Sequence, residues 1–347
     1  MSDQLADSAT RFFASHVTKD VLRDASEGRF PRPLWDAVVE AGFTASLLPE
    51  AAGGFGATVA EAMRILQISA EHTAPIPLAE TMLAGWLLAR AGLVVPEGVL
   101  TVAPVRKADA LSLVREGSGW RLSGTAHRVP WARDAAGIAV LAMGPNGSMV
   151  ACVPSIGLVT AQDVNLAGEP RDTIIFDVAV TEATPAPFEP ETLRAAGAAL
   201  RTVQIAGALS RALSTSVAYA QTRVQFGRPI GKFQAIQHNL AIVAGQSAAA
   251  IAAADMAAEA LEQDLPMLTI AAAKARAGEA ASIAAGLAHQ SHGAIGFTQE
   301  YELHYATRRL WSWRDEFGNE AEWNALVGRA ALRAGAEGLW PLLTAAA

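Results

Sequence analysis

Only one cysteine, Cys152, occurs among the 347 residues. A single thiol excludes an intrachain disulfide framework and a thiolate metal cluster. Its neighbours Ala151 and Val153 are apolar, which predicts a buried structural thiol. Charge is scarce too: 18% of residues are Asp, Glu, Lys or Arg, against 51% hydrophobic. So thin a charged surface predicts that a partner covers some of the apolar area. The net charge is −7 and no long Lys/Arg run appears, which argues against nucleic acid as a general partner. Residues 1–7 are acidic and lack the apolar stretch of a secretory signal. The alanine-rich run over 248–254 stops at Asp255 and is too short to span a bilayer. The expectation is a soluble cytoplasmic protein with neither nucleic-acid nor membrane partners.

The chain is long enough for two or three domains sharing a large core. Residues 1–95 read as helical. Residues 32–43 repeat apolar side chains at spacings of three to four and end with Gly42. Gly53-Gly54-Phe55-Gly56 reads as a loop, and Thr58 as the N-cap of the next helix. No Lys-Ser/Thr follows these glycines and no buried strand precedes them, so they are not a nucleotide P-loop. Residues 96–190 carry short β-rich runs at 120–124, 137–143 and 173–180. Turn signals such as Gly144-Pro145-Asn146-Gly147 separate them, which predicts a small antiparallel sheet closed by a Pro/Thr/Glu-rich linker over 181–190. From residue 191 the pattern is helical again, with Pro190 and Glu191 suited to a helix start. Helices are expected up to Arg223, from Phe233 to Glu262, and from Pro266 to near His289. A last helical stretch takes in 307–314 and 320–333. Four long helices with short links predict an antiparallel bundle over 191–347. The fold class is α+β, mainly α.

Two segments carry chemistry. Residues 223–238 read Arg-Val-Gln-Phe-Gly-Arg-Pro-Ile-Gly-Lys-Phe-Gln-Ala-Ile-Gln-His. A cation, amides, an aromatic and two glycines meet at one helix-to-helix corner, which suits a flat-ringed ligand bearing phosphates. The same residues also read as an ordinary αα-hairpin turn punctuated by Gly and Pro. Residues 289–301 read His-Gln-Ser-His-Gly-Ala-Ile-Gly-Phe-Thr-Gln-Glu-Tyr. His289 and His292 have no third ligand at metal-binding spacing, so a metal site is not expected.

Both strings resemble the flavin-binding turn and the later Gln/Gly-rich loop of acyl-CoA dehydrogenases, in the same order. The resemblance runs from residue 48 onward and is strongest after Arg201. It implies the acyl-CoA dehydrogenase fold: an N-terminal helical domain, a small antiparallel β domain and a C-terminal four-helix bundle. The implied cofactor is FAD, and these motifs complete the flavin site of a neighbouring subunit. Arg223 then faces the diphosphate, while Gln290, Gly293 and Gly296 close over the diphosphate and adenine end. Gln225 and Phe226 become flavin contacts, with plain core as the other reading of Phe226. Gln234 and His238 become interface or adenosine contacts, or simple helix caps. The Gly53–Gly56 loop falls near the acyl-CoA cleft.

This chain departs from the family's pattern in an informative way. The chemistry needs a carboxylate for the α-proton, a flavin to accept hydride from the β-carbon, and donors to the thioester oxygen. A gapless match from Gly296 puts Phe317 where the family's glutamate stands, with Gly318 matching its glycine. Glu316 lies one residue away, a swing of roughly 100° on a helix. The alternative base position falls at Gly197. On the middle domain the Thr-Glu-Pro element is absent from 101–105, and Val129-Pro130-Trp131-Ala132 replaces Trp-x-Thr-Asn. The short chain, with its string over 311–318, resembles the smaller subunit of heteromeric α2β2 acyl-CoA dehydrogenases of bacterial steroid side-chain degradation. The implied partners are a longer dehydrogenase subunit that carries the base, an acyl-CoA substrate and an electron-transfer flavoprotein. Two other readings remain: a self-sufficient homomeric dehydrogenase using Glu316, and a scaffold without flavin.

Overall fold

The structure is a computed structural model that describes residues 2–344 except Phe188, Pro190 and Asp264. Pro190, read above as part of a helix start, therefore lies outside the described residues. The chain divides into two compact units, Met1–Leu66 with Pro75–Leu200, and Gln67–Ala74 with Arg201–Ala347.

The first unit opens with helices α1 (Ser2–His16), α2 (Lys19–Ser26) and α3 (Arg32–Glu40), and α3 is closed by Gly42 at φ 75°. Helix α4 (Val59–Glu71) begins in this unit, and α5 (Leu78–Arg90) lies wholly within it. Thr58 caps α4 as expected, and Glu61 completes the cap. The Thr58 hydroxyl accepts the Glu61 amide at 3.2 Å, and the Glu61 carboxylate accepts the Thr58 amide at 2.9 Å.

Eight strands follow: β1 (Leu100–Ala103), β2 (Leu111–Glu116), β3 (Gly119–Pro130), β4 (Gly137–Gly144), β5 (Gly147–Pro154), β6 (Val159–Ala161), β7 (Arg171–Val180) and β8 (Ala183–Pro185). They pair in the order β6-β7-β3-β2-β4-β5-β8, with β1 beside β4. The sheet is mixed rather than purely antiparallel, because β1 runs parallel to β4 with Leu100 opposite Gly137. The β2–β3 hairpin provides the long return that a parallel pair requires. The linker expected over 181–190 contributes β8, which pairs antiparallel with β5. Leu113, Leu122, Val140, Ile174 and Phe176 are buried in the sheet's core. Helix α5 is tied to β1 through the Thr81 hydroxyl, which contacts both the amide and the carbonyl of Leu100. Cys152 is half-buried rather than buried, and burial pushes its thiol up to about 11.

Helix α6 (Glu191–Thr222) crosses into the second unit. A small ribbon follows, β9 (Val224–Gln225) with β10 (Arg228–Pro229), then α7 (Gln234–Glu262), α8 (Met267–His292), α9 (Leu303–Trp313) and α10 (Glu320–Thr344). Helix α10 breaks at Gly335, whose φ is 65°. Within this unit, Gly207 of α6 allows a close helix approach: a Cβ there would lie 2.2 Å from the Gln67 carbonyl oxygen of α4. Alanines at 253, 257, 271, 277, 281 and 284 are buried, so α7 and α8 pack through methyl groups. By length and composition α7 as a whole could cross a membrane, unlike its 248–254 run alone. It packs on α8 along one face and leaves Ala241, Ile242, Ala244, Ala248 and Met256 exposed on the other.

Candidate functional site

The ribbon after α6 is a hairpin with a two-residue turn. Arg228 stands opposite Gln225, and Pro229 opposite Val224. The turn residues Phe226 and Gly227 have φ of 51° and 78°. Positive φ at both positions is the type I′ geometry that fits the twist of a hairpin. Glycine adopts it freely, whereas an aromatic residue does so at a cost. Phe226 is also 92% exposed, so it is not core, and the alternative reading of it is corrected. Its ring stands edge-on to Phe233 at 6.0 Å, and the Arg228 guanidinium lies 4.3 Å from the Phe233 ring centre. The tip thus presents a strained aromatic ring to solvent, braced from one side by Phe233.

Arg223 links α6 to this hairpin. Its amide donates to the Tyr219 carbonyl, and its carbonyl accepts from the Ile230 amide, each at 2.8 Å. Its side chain is exposed and has no carboxylate partner among the described residues. Gln225 and Gln234 are exposed as well, Gln234 as the first residue of α7, and so is His238 one turn later.

The second motif lies at the end of α8. Helix α8 continues to His292, so Gln290 is helical and exposed, and not part of a loop. The turn proper is a 3-10 segment, Gly293–Phe297, which Gly293 enters at φ 66°. Gly296 is buried: a Cβ there would lie 3.0 Å from His292 Cβ and 3.2 Å from His289 Nδ1. The ends of α6 and α8 meet directly. The Tyr219 ring stacks on His292 at 4.5 Å, and its hydroxyl donates to the His292 carbonyl at 3.4 Å. Arg223 and the Gln290–Gly296 segment therefore belong to one end of the bundle. Among the described residues no cluster of three or more His, Cys, Asp or Glu has metal-binding geometry.

The residues at the expected base positions are committed elsewhere. Arg201 Nε donates to Glu316 Oε2 at 2.8 Å, and Arg201 Nη1 donates to Gln204. The Arg201 side chain is 2% exposed and that of Glu316 13%. Trp313 and Phe317 present their rings 5.9 and 5.7 Å from the same guanidinium. Phe317 is buried and takes φ 55°. The turn beneath it is fixed by Lys274 Nζ, which donates to the carbonyls of Arg314 at 2.6 Å and Gly318 at 3.0 Å. Trp323 Nε1 also lies 3.2 Å from the Phe317 and Gly318 carbonyls. Arg314 pairs with Glu320. Glu316 thus sits in an ion-paired cluster. Gly197, the other base position, is buried in α6.

The elements expected to hold a flavin ring face inward. Val129 and Ala132 are fully buried and Trp131 is 6% exposed, its ring edge-on to Phe30. Thr101 is fully buried and its hydroxyl donates to the Pro130 carbonyl at 2.5 Å. Arg133, which follows Ala132, pairs with the buried carboxylate of Asp172. The donor set therefore fits one half of a flavin site, with a free guanidinium, exposed amides and an exposed aromatic. The other half has spent its side chains on internal packing.

Sequence reasoning missed Arg201, Lys274 and Arg133. For Arg201 and Lys274 a faint signal exists: each is a cation flanked by apolar residues in an alanine-rich helix, where a charge is buried only if it is paired.

A mixed-sheet unit and a helical bundle with an exposed Arg-x-Gln-Phe-Gly hairpin define an acyl-CoA dehydrogenase fold. The family model for the acyl-CoA dehydrogenase N-terminal domain matches residues 2–93, and that for the C-terminal domain matches residues 195–320. The chain is 31% identical to acyl-CoA dehydrogenase IpdE2 of Mycobacterium tuberculosis over 88% of this chain and 89% of that one. It belongs to the acyl-CoA dehydrogenase family. Among solved structures, a variant of the Tcur3481-Tcur3483 steroid ACAD superposes with a TM-score of 0.86 at 27% identity, over 96% of this chain and 98% of that one. The ChsE4-ChsE5 complex of Mycobacterium tuberculosis superposes with a TM-score of 0.85 at 25% identity, over 96% and 97%.

Proposed function

We propose that this chain is a subunit of an FAD-dependent acyl-CoA dehydrogenase, in which it supplies the diphosphate and adenine half of a flavin site to a longer partner subunit. The observation that carries this reading is an asymmetry. Arg223, Gln225, Phe226 and Gln290 are exposed, whereas Thr101, Val129 and Ala132 are buried in the protein's own core. In this reading Arg223 holds the diphosphate through its planar fork, Phe226 packs on the flavin, and Gln290 with the Gly293–Gly296 turn covers the adenine end. Bound flavin supplies the acceptor for the hydride that leaves the β-carbon.

The α-proton goes to a carboxylate of the partner. Glu316 is tied to Arg201, and Phe317 and Gly197 have no titrating group. The partner also has a surface to cover. Leu213 and Val217 of α6, with Ala248 and Ile251 of α7, line an open groove of about 560 Å³. The names of the two similar structures, a Tcur3481-Tcur3483 steroid ACAD and a ChsE4-ChsE5 complex, support pairing with an unlike subunit and a steroid-type substrate; an α2β2 assembly acting on a steroid side-chain acyl-CoA extends that reading. An electron-transfer flavoprotein as acceptor and a cytoplasmic location complete the proposal.

The test is colour. The chain purified alone should show weak flavin absorption, and the same chain co-expressed with a longer dehydrogenase subunit should hold stoichiometric FAD. Tight FAD in the lone chain, with turnover, would establish the self-sufficient enzyme instead. No flavin in either preparation would leave the scaffold reading.

A further inference from the structure

We propose that His289 and His292, while both rings are neutral, latch the Gly293–Phe297 turn onto the end of the bundle, and that their protonation releases it. The latch acts on the turn itself, whatever ligand the turn meets.

Each ring has one nitrogen engaged and one stranded. His292 Nδ1 lies 2.7 Å from the Ala288 carbonyl, so Nδ1 carries the hydrogen. Its Nε2 is then a lone pair, buried and without a partner. His289 Nε2 lies 2.8 Å from the Thr307 hydroxyl, which itself donates to the Leu303 carbonyl at 3.3 Å. The hydroxyl hydrogen is used, so His289 Nε2 is the donor and Nδ1 is the stranded lone pair. The side chains are buried, His289 at 4% and His292 at 5% exposure.

The turn rests on these two rings. Phe297 stacks on His289 at 4.2 Å, and Gly296 packs against His289 Nδ1 and His292 Cβ. On its other face His289 meets Trp311 at 5.4 Å, while His292 is held between Tyr219 and Tyr301. A proton on either ring must go to the stranded nitrogen, where no acceptor waits. A buried N–H cation without an acceptor is strongly disfavoured. The faces of Phe297 and Trp311 favour an imidazolium but accept no hydrogen bond from Nδ1.

The surroundings offer little relief. Helix α6 contributes Tyr219, and the segment before α9 contributes Tyr301 and Glu302, whose carboxylate is bound to Arg211. Helix α9 contributes Thr307 and His304, with Arg308 and Arg309 beside His304. No carboxylate pairs with either ring among the described residues. Burial accordingly holds both imidazoles below their ordinary range, and His292 and His304 lower His289 further. Acid can protonate the pair only by exposing it, and the turn is the thinnest cover.

Hydrogen–deuterium exchange of the full-length protein tests the latch. Protection over 293–300 is followed from pH 7.5 to 5.5, with intrinsic exchange rates factored out. Below the ordinary histidine range, protection there should fall by about tenfold per pH unit for each ring that takes up a proton on opening, while the body of α8 holds. The double substitution His289→Gln and His292→Asn retains donors near Nε2 and Nδ1 but cannot titrate, and it should give a flat profile. Unchanged wild-type protection over this range overturns the proposal, as does parallel loss in the double variant or simultaneous loss throughout the bundle. If the double variant does not fold, ring titration by NMR in the wild-type protein decides. Ring pKa values at or above that of a free histidine overturn the latch, and depressed values coinciding with opening of the turn support it.

Discussion

Arg201 and Glu316 are separated by 115 residues in the chain, yet Arg201 Nε donates to Glu316 Oε2 at 2.8 Å. The pair joins α6 to the turn between α9 and α10, and it sets the meaning of Glu316. A carboxylate bound to a buried guanidinium serves that partner before it serves a substrate. Glu316→Gln should therefore leave turnover of the assembled enzyme largely unchanged. Loss of a true α-proton base costs roughly 10²–10⁴-fold. A loss of that size, with flavin content and assembly intact, would make Glu316 the base.

Glu316→Ala should instead show up in stability. It removes one carboxylate from the Arg201 guanidinium, which is 2% exposed. Breaking a buried pair from one side costs about 3–5 kcal/mol, less here because Glu316 is itself partly exposed and Gln204 remains. Denaturant unfolding of the lone chain should register a drop of about 2–3 kcal/mol. A change under about 0.5 kcal/mol would mean that the pair contributes nothing to the fold.

Arg223 should behave in the opposite way. Its side chain is exposed and pairs with no carboxylate among the described residues, so Arg223→Ala should change the stability of the lone chain by no more than about 0.5 kcal/mol. In the assembled enzyme the same substitution should weaken flavin retention, by roughly 2–5 kcal/mol if the diphosphate contact is desolvated. Arg223→Lys should restore only part of the loss, because it lacks the planar fork. Full flavin occupancy of the alanine variant on dilution would remove Arg223 from the site.

The hairpin tip gives a third contrast. Phe226 sits at φ 51°, where asparagine is at ease and phenylalanine is not. Phe226→Asn should leave the lone chain as stable as before, or more stable by up to about 1 kcal/mol. Flavin retention in the assembly should fall, since the exposed ring is lost. If flavin retention is unchanged, Phe226 serves only the turn.

What the sequence made legible was local. The turn between the helices at 223–238, the Thr58 cap and the long helices follow from residues within a few positions of one another, and the two motifs are contiguous strings, although they do not predict the β-ribbon inside that turn. The features missed depend on distant partners. Nothing near Leu100 says that β1 will lie parallel to β4, because the intervening hairpin decides it. The sequence suggests a solvated or ion-paired cluster of Arg314, Asp315 and Glu316, but not that the partner of Glu316 is the distant Arg201. Helix α8 runs one turn further than expected, through His289 to His292. Those rings are kept helical by packing on Tyr219 and Trp311, which no helix propensity records.

Lys274 yields the sharpest pH prediction. Its ammonium is buried and donates to the Arg314 and Gly318 carbonyls. Burial pushes it down to about 8 from 10.5, although Glu320, Glu316 and Asp315 pull the other way. The unfolded chain keeps the proton up to its ordinary pKa, while the folded chain releases it near 8. Between these values the unfolded state binds more protons, so the contribution of Lys274 to stability rises with pH across that window. Below about pH 8 both states are charged and the full cost of burying the ammonium is present. The gain across the window is at most about 3 kcal/mol. Other titrating groups drop out when the wild-type protein is compared with Lys274→Met. That variant should be the less stable at pH 10, because the Arg314 carbonyl loses the Lys274 donor, at about 1–3 kcal/mol, while the Gly318 carbonyl keeps Trp323 Nε1. The gap between the two proteins, measured by denaturant unfolding, should widen from pH 8 to pH 10. A constant or narrowing gap would show that Lys274 keeps its proton through this range, held by the carboxylates around it.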